Sequence, residues 1–181
     1  MPKASVKRLI ECNKEQLIDL VLDIESYPKF IPYCLSAKIY EKKEEKNFIY
    51  IIADLTIGKG PFKATYKSDV KFNKNTDTIQ VTNIEGPLKH LDNRWVFIEK
   101  DNFTQISFDI DFEIENKFLN IVMNKSFQYG LDKIADSFQK RANDLFRVDK
   151  SPNNHMCRKV NYVCRLTKKN NCKNINLACY C

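Results

Sequence analysis

The chain changes its hydrophobic period once, near residue 117, and that change limits what it can fold into. Upstream, from about Leu35 to Ile114, apolar residues alternate with polar ones in runs separated by short polar or glycine-bearing turns. This is the period-2 signature of strands that bury one face. Downstream, Phe118, Ile121, Val122, Leu131, Ile134, Ala135, Phe138, Ala142, Leu145 and Phe146 recur every three or four residues up to about Arg147. That spacing is the apolar stripe of one amphipathic helix, ~45 Å long if unbroken. A lone long helix must bury its stripe, and the only apolar partner large enough is one face of the preceding sheet. The expectation is an α+β helix-grip architecture, a curved antiparallel sheet of about seven strands wrapped around a long C-terminal helix. Space left between the two would be concave and apolar, where small hydrophobic ligands bind.

The individual runs fill in this plan. Ala4 to Cys12 alternates as a first strand, and Asn13 then caps a short helix carrying Leu17, Ile18, Val21 and Leu22 at helical spacing. Ser26 to Tyr33 contains Pro28 and Pro32, so it forms short turns or a broken helix, and it gathers Tyr27, Phe30, Ile31 and Tyr33 into what reads as an aromatic lid. Six strands fit between Leu35 and Ile114. The clearest sets Phe62, Ala64, Tyr66, Val70 and Phe72 against Lys63, Thr65, Lys67, Asp69 and Lys71; another sets Phe108, Ile110, Phe112 and Ile114 against Asp109, Asp111, Glu113 and Glu115. Phe48 to Leu55 is apolar on both faces and reads as a strand covered on both sides. Gly130 interrupts the long helix at a cost of ~1 kcal/mol relative to alanine, which points to a bend or a close contact there.

Charge and cysteine divide the chain into two parts. Residues 1–150 hold 24 Lys and Arg against 23 Asp and Glu, while residues 151–181 hold 6 basic residues and no acid. The near-neutral body argues against specific DNA binding by a domain-wide basic footprint. Only Cys12 and Cys34 lie in the body; Cys157, Cys164, Cys172, Cys179 and Cys181 lie in the last part, without a Cys-x-x-Cys knuckle. The expected organisation is one domain over residues 1–148 and a basic, Cys/Asn-rich, disordered tail over residues 149–181. Alternatively, its six basic residues would add affinity for RNA or anionic lipid. Met1-Pro2-Lys3-Ala4-Ser5 lacks the apolar run of a secretory signal, and no apolar stretch approaches the ~20 residues of a spanning helix. A cytoplasmic protein with reduced thiols is expected.

Three segments resemble a known family, the coenzyme-Q-binding, START-like proteins of the polyketide cyclase/dehydrase group (SRPBCC), which includes the ribosome-association toxins of the RatA branch. Tyr27-Pro28-Lys29-Phe30-Ile31-Pro32-Tyr33-Cys34 is similar to the family's Tyr-Pro-x-Phe-x-Pro-Trp-Cys segment. Gly86-Pro87-Leu88-Lys89-His90-Leu91-Asp92-Asn93-Arg94-Trp95-Val96-Phe97 is similar to its Gly-Pro-Phe-x-x-Leu-x-Asn-x-Trp-x-Phe strand pair, and Ala135 to Ala142 to its helix ending, Phe-x-x-Arg-Ala. Tyr33 and Leu88 depart from the usual Trp and Phe while staying large and apolar. The resemblance implies non-catalytic binding of a polyprenyl quinone, ubiquinone above all, in support of respiration, with peripheral contact at the inner membrane. For the toxin branch it implies association with the large ribosomal subunit that blocks subunit joining. For more distant relatives it implies cyclase or dehydratase activity.

A long isoprenoid ligand needs apolar walls and few polar contacts. Candidate wall residues are Tyr27, Phe30, Ile31 and Tyr33 from the proline segment, Arg94, Trp95 and Phe97 from the sheet, and Phe118 and Val122 from the start of the long helix. Arg94 would meet a carbonyl or carboxylate, or else form a surface ion pair. Catalytic constellations are scarce. The two histidines are His90 and His155, there is no Gly-x-Ser-x-Gly elbow or phosphate loop, and strand alternation sends Asp109, Asp111, Glu113 and Glu115 to a solvated face. Cys34 reads as a small buried side chain rather than a reactive thiol, and no cofactor or metal is required.

Overall fold

The computed structural model describes residues 3–59, 62–114 and 117–146, with side chains outside 59–62 and 114–126. Seven strands form one antiparallel sheet: β1 (Lys3–Ile10), β2 (Cys34–Glu44), β3 (Phe48–Lys59), β4 (Phe62–Asn73), β5 (Thr78–Glu85), β6 (Leu88–Lys100) and β7 (Phe103–Ile114). Their order is β1-β7-β6-β5-β4-β3-β2. Strands β2 to β7 are a meander, and β1 pairs with β7 at the far edge. The link from β1 to β2 therefore crosses the sheet from one edge to the other. It does so with α1 (Lys14–Leu22) and a 3₁₀ helix, Ile24–Lys29, that contains Pro28. The C-terminal helix α2 spans Lys117–Phe146 and completes the helix-grip fold. The tail beyond residue 147 lies outside the described residues.

Local chemistry sets the element ends. The Asn13 backbone N–H donates to Gln16 Oε1 at 3.3 Å, closing the first turn of α1. The first strand ends at Ile10, two residues before the alternation does. Cys12 is buried in the turn instead, where its carbonyl accepts the Thr104 hydroxyl at 2.7 Å. The hairpin turns after β4 and β6 place Asp77 and Asp101 at positive φ, which aspartate tolerates. Gly86 has φ +124°, and a Cβ built there would come within 2.8 Å of Thr65 O and Tyr66 Cα. Only glycine fits that turn.

The core lies between the concave sheet face and the helices. Inward residues of successive strands, among them Val6, Ile51, Ala53, Val70, Ile79, Trp95, Phe97, Ile106 and Phe108, meet Leu131, Ala135, Phe138 and Ala142 of α2. These four α2 positions are separated by four, three and four residues, the expected helical stripe. Arg8 of β1 fixes the lateral position of the helix by donating to Asp132 at 3.1 Å and to Asp136 at 2.9 Å. The two acids are one turn apart, so one guanidinium bridges both.

Two sequence expectations change. The outer face of β3 is only half buried, because no second layer covers it among the described residues. Lysine stems of β4 lie over the strand's own rings, with Lys71 Nζ 4.5 Å from the Phe48 ring centre and 5.5 Å from that of Tyr50. Gly130 makes no close contact, since a Cβ there would meet nothing within 4 Å, and α2 continues through it. The two glycines should thus respond with opposite signs. Gly130→Ala is expected to raise the free energy of unfolding by about 0.5–1 kcal/mol, and Gly86→Ala to lower it by about 1–3 kcal/mol, both measured by urea denaturation.

Candidate functional site

The alternation of five strands and the stripe of α2 converge on an enclosed apolar space of about 160 Å³. Its floor is the inward face of β3 to β7, including Leu55, Tyr66, Ile79, Val81, Leu91, Trp95 and Ile110. Ile134 and Phe138 of α2 roof it, and Tyr27, Ile31, Pro32 and Cys34 close one side. Ile57 lines the space and is also 41% exposed, which puts the mouth beside Pro32 and Ile57.

Five rings organise the wall. Phe138 lies edge-on to Tyr27 (5.4 Å, 88°), Phe30 (5.3 Å, 83°) and Trp95 (5.1 Å, 70°), and Trp95 stacks on Phe108 at 4.0 Å. Edge-to-face pairs of this kind are worth about 0.5–1.5 kcal/mol each beyond the area they bury. The proline segment is thereby tied directly to the long helix. Arg141 extends the cluster outward with its guanidinium 5.7 Å from the Phe30 ring centre.

The sequence-derived candidates separate into groups. Tyr27, Ile31 and Trp95 line the space. Phe30 packs behind Tyr27 and Phe138, and Phe97 is a core residue at 3% exposure that does not reach the space. Tyr33 points outward at 53% exposure, with a left-handed backbone (φ 65°) whose carbonyl accepts the Gly58 N–H at 2.9 Å. Arg94 departs from its expected position: adjacent to the inward Trp95, it falls by alternation on the outer face, in a polar recess with Lys3, Asp92, Asp109 and Asp111. Phe118 and Val122 belong to the part of α2 whose side chains lie outside the described residues.

Sequence reading identified no polar group inside the cavity, and the structure supplies them. Asn93, Tyr66 and Ser68 all line it. Ser68 is fully buried and donates to the Ala53 carbonyl at 3.2 Å; the Tyr27 hydroxyl donates to the Val21 carbonyl. Asn93 Oδ1 is buried with no hydrogen-bond partner among the described residues. An unmade buried acceptor of this sort costs about 1–3 kcal/mol. The sequence signal was available, since Asn93 interrupts the inward row Leu91, Trp95, Phe97 with a carboxamide.

Among the described residues the ionisable groups are dispersed or paired. Among the described residues no three His, Cys, Asp or Glu side chains are grouped to hold a metal. His90 is on the outer face, 4.0 Å from Asp111, and His155 lies outside the described residues. On the acidic row, Asp111 pairs with Lys3 at 2.9 Å and Glu113 approaches Lys89 at 3.7 Å. Burial pushes the Cys12 thiol up to about 12 and also raises Cys34, so both favour the neutral thiol over the nucleophilic thiolate. The outer face of β2 to β4 has a different character. Lys38 and Lys67 approach the exposed Tyr40 ring (4.8 and 5.6 Å), and Lys71 approaches Phe48 and Tyr50. No described helix is long and apolar enough to cross a membrane.

Comparison with known proteins agrees with this geometry. The chain belongs to the family described as polyketide cyclase / dehydrase and lipid transport, whose model matches residues 10–139. It is 29% identical over 144 residues to a ribosome association toxin, RatA, of Rickettsia prowazekii, covering 77% of this chain and 95% of that protein. It is 30% identical over 134 residues to a mitochondrial coenzyme Q-binding protein of Dictyostelium discoideum, covering 72% of this chain and 64% of the relative. A solution structure of an 18 kDa protein from Caulobacter crescentus superposes with a TM-score of 0.68 at 24% identity, over 80% of this chain and 98% of the other. The last shares the fold, and neither relative is named for a reaction.

Buried acids make the domain sensitive to alkali. Burial raises the Tyr27 hydroxyl and pushes Tyr66 up to about 12, as it does the Cys12 thiol. Each group stays protonated in the folded state at pH values where the unfolded chain has released the proton. Their contribution is complete below the unfolded values, near 9.0 for cysteine and 10.0 for tyrosine, and is lost as pH rises toward 12. Urea midpoints measured from pH 8 to 11 should fall steadily above about pH 9, and Cys12→Ala should remove the earliest part of that decline.

Proposed function

We propose that this chain is a non-catalytic binding protein of the ribosome-association kind, with a ring-sized apolar ligand site inside the domain and a contact surface for the large ribosomal subunit outside it. The observation that carries the ribosomal reading is extent. The match to the ribosome association toxin runs through 95% of that protein's length, so nearly the whole relative has a counterpart here. The lysine and aromatic face of β2 to β4 adds support. Lys38, Lys67 and Lys71 provide cations for phosphates, and Tyr40, Phe48 and Tyr50 provide rings on which bases stack. The near-balance of charge in residues 1–150 makes this a local patch rather than a general affinity for polyanions.

Binding of a polyprenyl quinone is the second reading, favoured by the apolar cavity and by the coenzyme Q-binding relative. At about 160 Å³ the cavity is smaller than the roughly 300 Å³ at which drug-sized sites begin. It accommodates one ring, and an isoprenoid tail would have to leave through the mouth past Ile57. Tyr33, Leu35 and Ile57, exposed by 53, 46 and 41%, would then meet the bilayer interface from which such a ligand is taken.

Sedimentation through sucrose gradients separates the two. Co-migration with large subunits at low salt, lost on raising the salt and weakened at least tenfold by Lys38→Glu combined with Lys71→Glu, is expected for the ribosomal reading. Migration free of ribosomes at every salt concentration, together with a quinone recovered by solvent extraction and mass spectrometry of the purified chain, would establish the second reading instead.

A further inference from the structure

We propose that the cavity is built for a ring ligand with a hydroxyl group at its buried end, held by the carboxamide of Asn93. The inference rests on the reading of the cavity as a ligand site and specifies the chemistry of what enters it. Asn93 occupies an inward position of β6, with Val81 of β5 and Ile110 of β7 as its cross-strand neighbours and Trp95 two residues along. All of these are apolar wall. Its Oδ1 is buried without a partner among the described residues. The other polar groups of the wall are differently placed. Tyr27 and Ser68 already donate to the Val21 and Ala53 carbonyls, and Tyr66 lines the same space from β4, two residues before Ser68. Among the described residues lining the cavity, Asn93 is the one with a buried acceptor that has no partner.

A ligand that completes this wall must be apolar over most of its surface and present one hydrogen-bonding group at Asn93. Hydrocarbons leave the acceptor unmade, and ethers and ketones can accept from the Nδ2–H of the amide but still leave Oδ1 unmade. A hydroxyl donates to Oδ1, and because it also accepts, it pairs with the amide in either orientation of the side chain. The volume fits the same class: an apolar cavity of about 150 Å³ takes a benzene-sized molecule, and this one is about 160 Å³. Trp95 and Phe108, stacked at 4.0 Å, form a flat wall against which a ring can lie. A phenol or a hydroquinone head group meets every requirement, and the corresponding methyl ether or oxidised quinone lacks the donor.

The test uses the full chain and three probes of one shape, 4-propylphenol, 4-propylanisole and propylbenzene, titrated by calorimetry. The phenol should bind about tenfold more tightly than the anisole, the worth of one buried hydrogen bond. In Asn93→Leu, which keeps the branched shape and removes the amide, the two should bind within twofold of each other while propylbenzene is retained. Asn93→Ala carries the same expectation should the leucine variant lose its near-ultraviolet circular dichroism. Equal binding of phenol and anisole by the unaltered chain, or selectivity that survives either substitution, overturns the assignment to Asn93 and leaves the cavity reading intact. Failure of all three probes to bind overturns the cavity reading and this inference with it.

Discussion

The seating of Phe138 on the sheet is the interaction on which the rest of this domain depends. A helix as long as α2 is stable in a single domain only when its stripe is buried, and Phe138, 2% exposed, is the largest of the four α2 residues buried in the core. Its ring joins three segments far apart in sequence: Tyr27 and Phe30 from the crossover, Trp95 from β6, and α2 itself. The crossover is needed because β1 pairs with β7 while β2 lies at the opposite edge. The proline segment thus reaches the helix as part of the path the chain must take to close the topology. The edge-to-face geometry holds the rings apart at right angles, and that spacing keeps the region between sheet and helix from collapsing completely.

The cavity is a by-product of this seating that has acquired specific chemistry. Aromatic rings that meet edge-on leave gaps that aliphatic side chains would fill, and the space beside Trp95 and Phe138, which meet at 70°, is such a gap. A gap lined only by hydrocarbon would be a packing defect, costly in proportion to its volume. Asn93 changes that assessment. An acceptor left unmade there adds a second cost of about 1–3 kcal/mol, which the proposed hydroxyl ligand would relieve. The outer surface is organised independently, because strand alternation isolates it from the cavity. Lysines and rings of β2 to β4 lie on that outer face, so the proposed macromolecular contact would leave the interior undisturbed.

Much of the architecture was legible in the sequence because it rests on periodicity. The switch from period 2 to period 3.6 defined the sheet and α2, the alternation of Phe108, Ile110 and Phe112 with Asp109 and Asp111 gave β7 its correct faces, and Asn13 marked the start of α1. Position inside the core was less legible. Phe30, Phe97 and Trp95 are all large aromatic residues next to family-like motifs, yet only Trp95 lines the cavity, because lining depends on where sheet and helix part rather than on residue type. Arg94 falls outside the cavity for a simpler reason: its neighbour Trp95 points inward, and alternation sends the arginine to the outer face, where the surface alternative places it. Asn93 and Ser68 were overlooked because a polar residue in a strand reads as solvent-facing until its register is counted from the inward row.

Replacing Phe138 with alanine tests the central claim most directly, with unfolding in urea followed at once by circular dichroism and by the fluorescence of Trp95, the chain's single tryptophan. If the seating of this ring holds helix, crossover and sheet together, the two signals should still trace one coincident transition, shifted by about 3–5 kcal/mol. A shift below about 1 kcal/mol, which is outside the range for a buried phenylalanine, or a helix that melts before the Trp95 signal changes, would contradict the account.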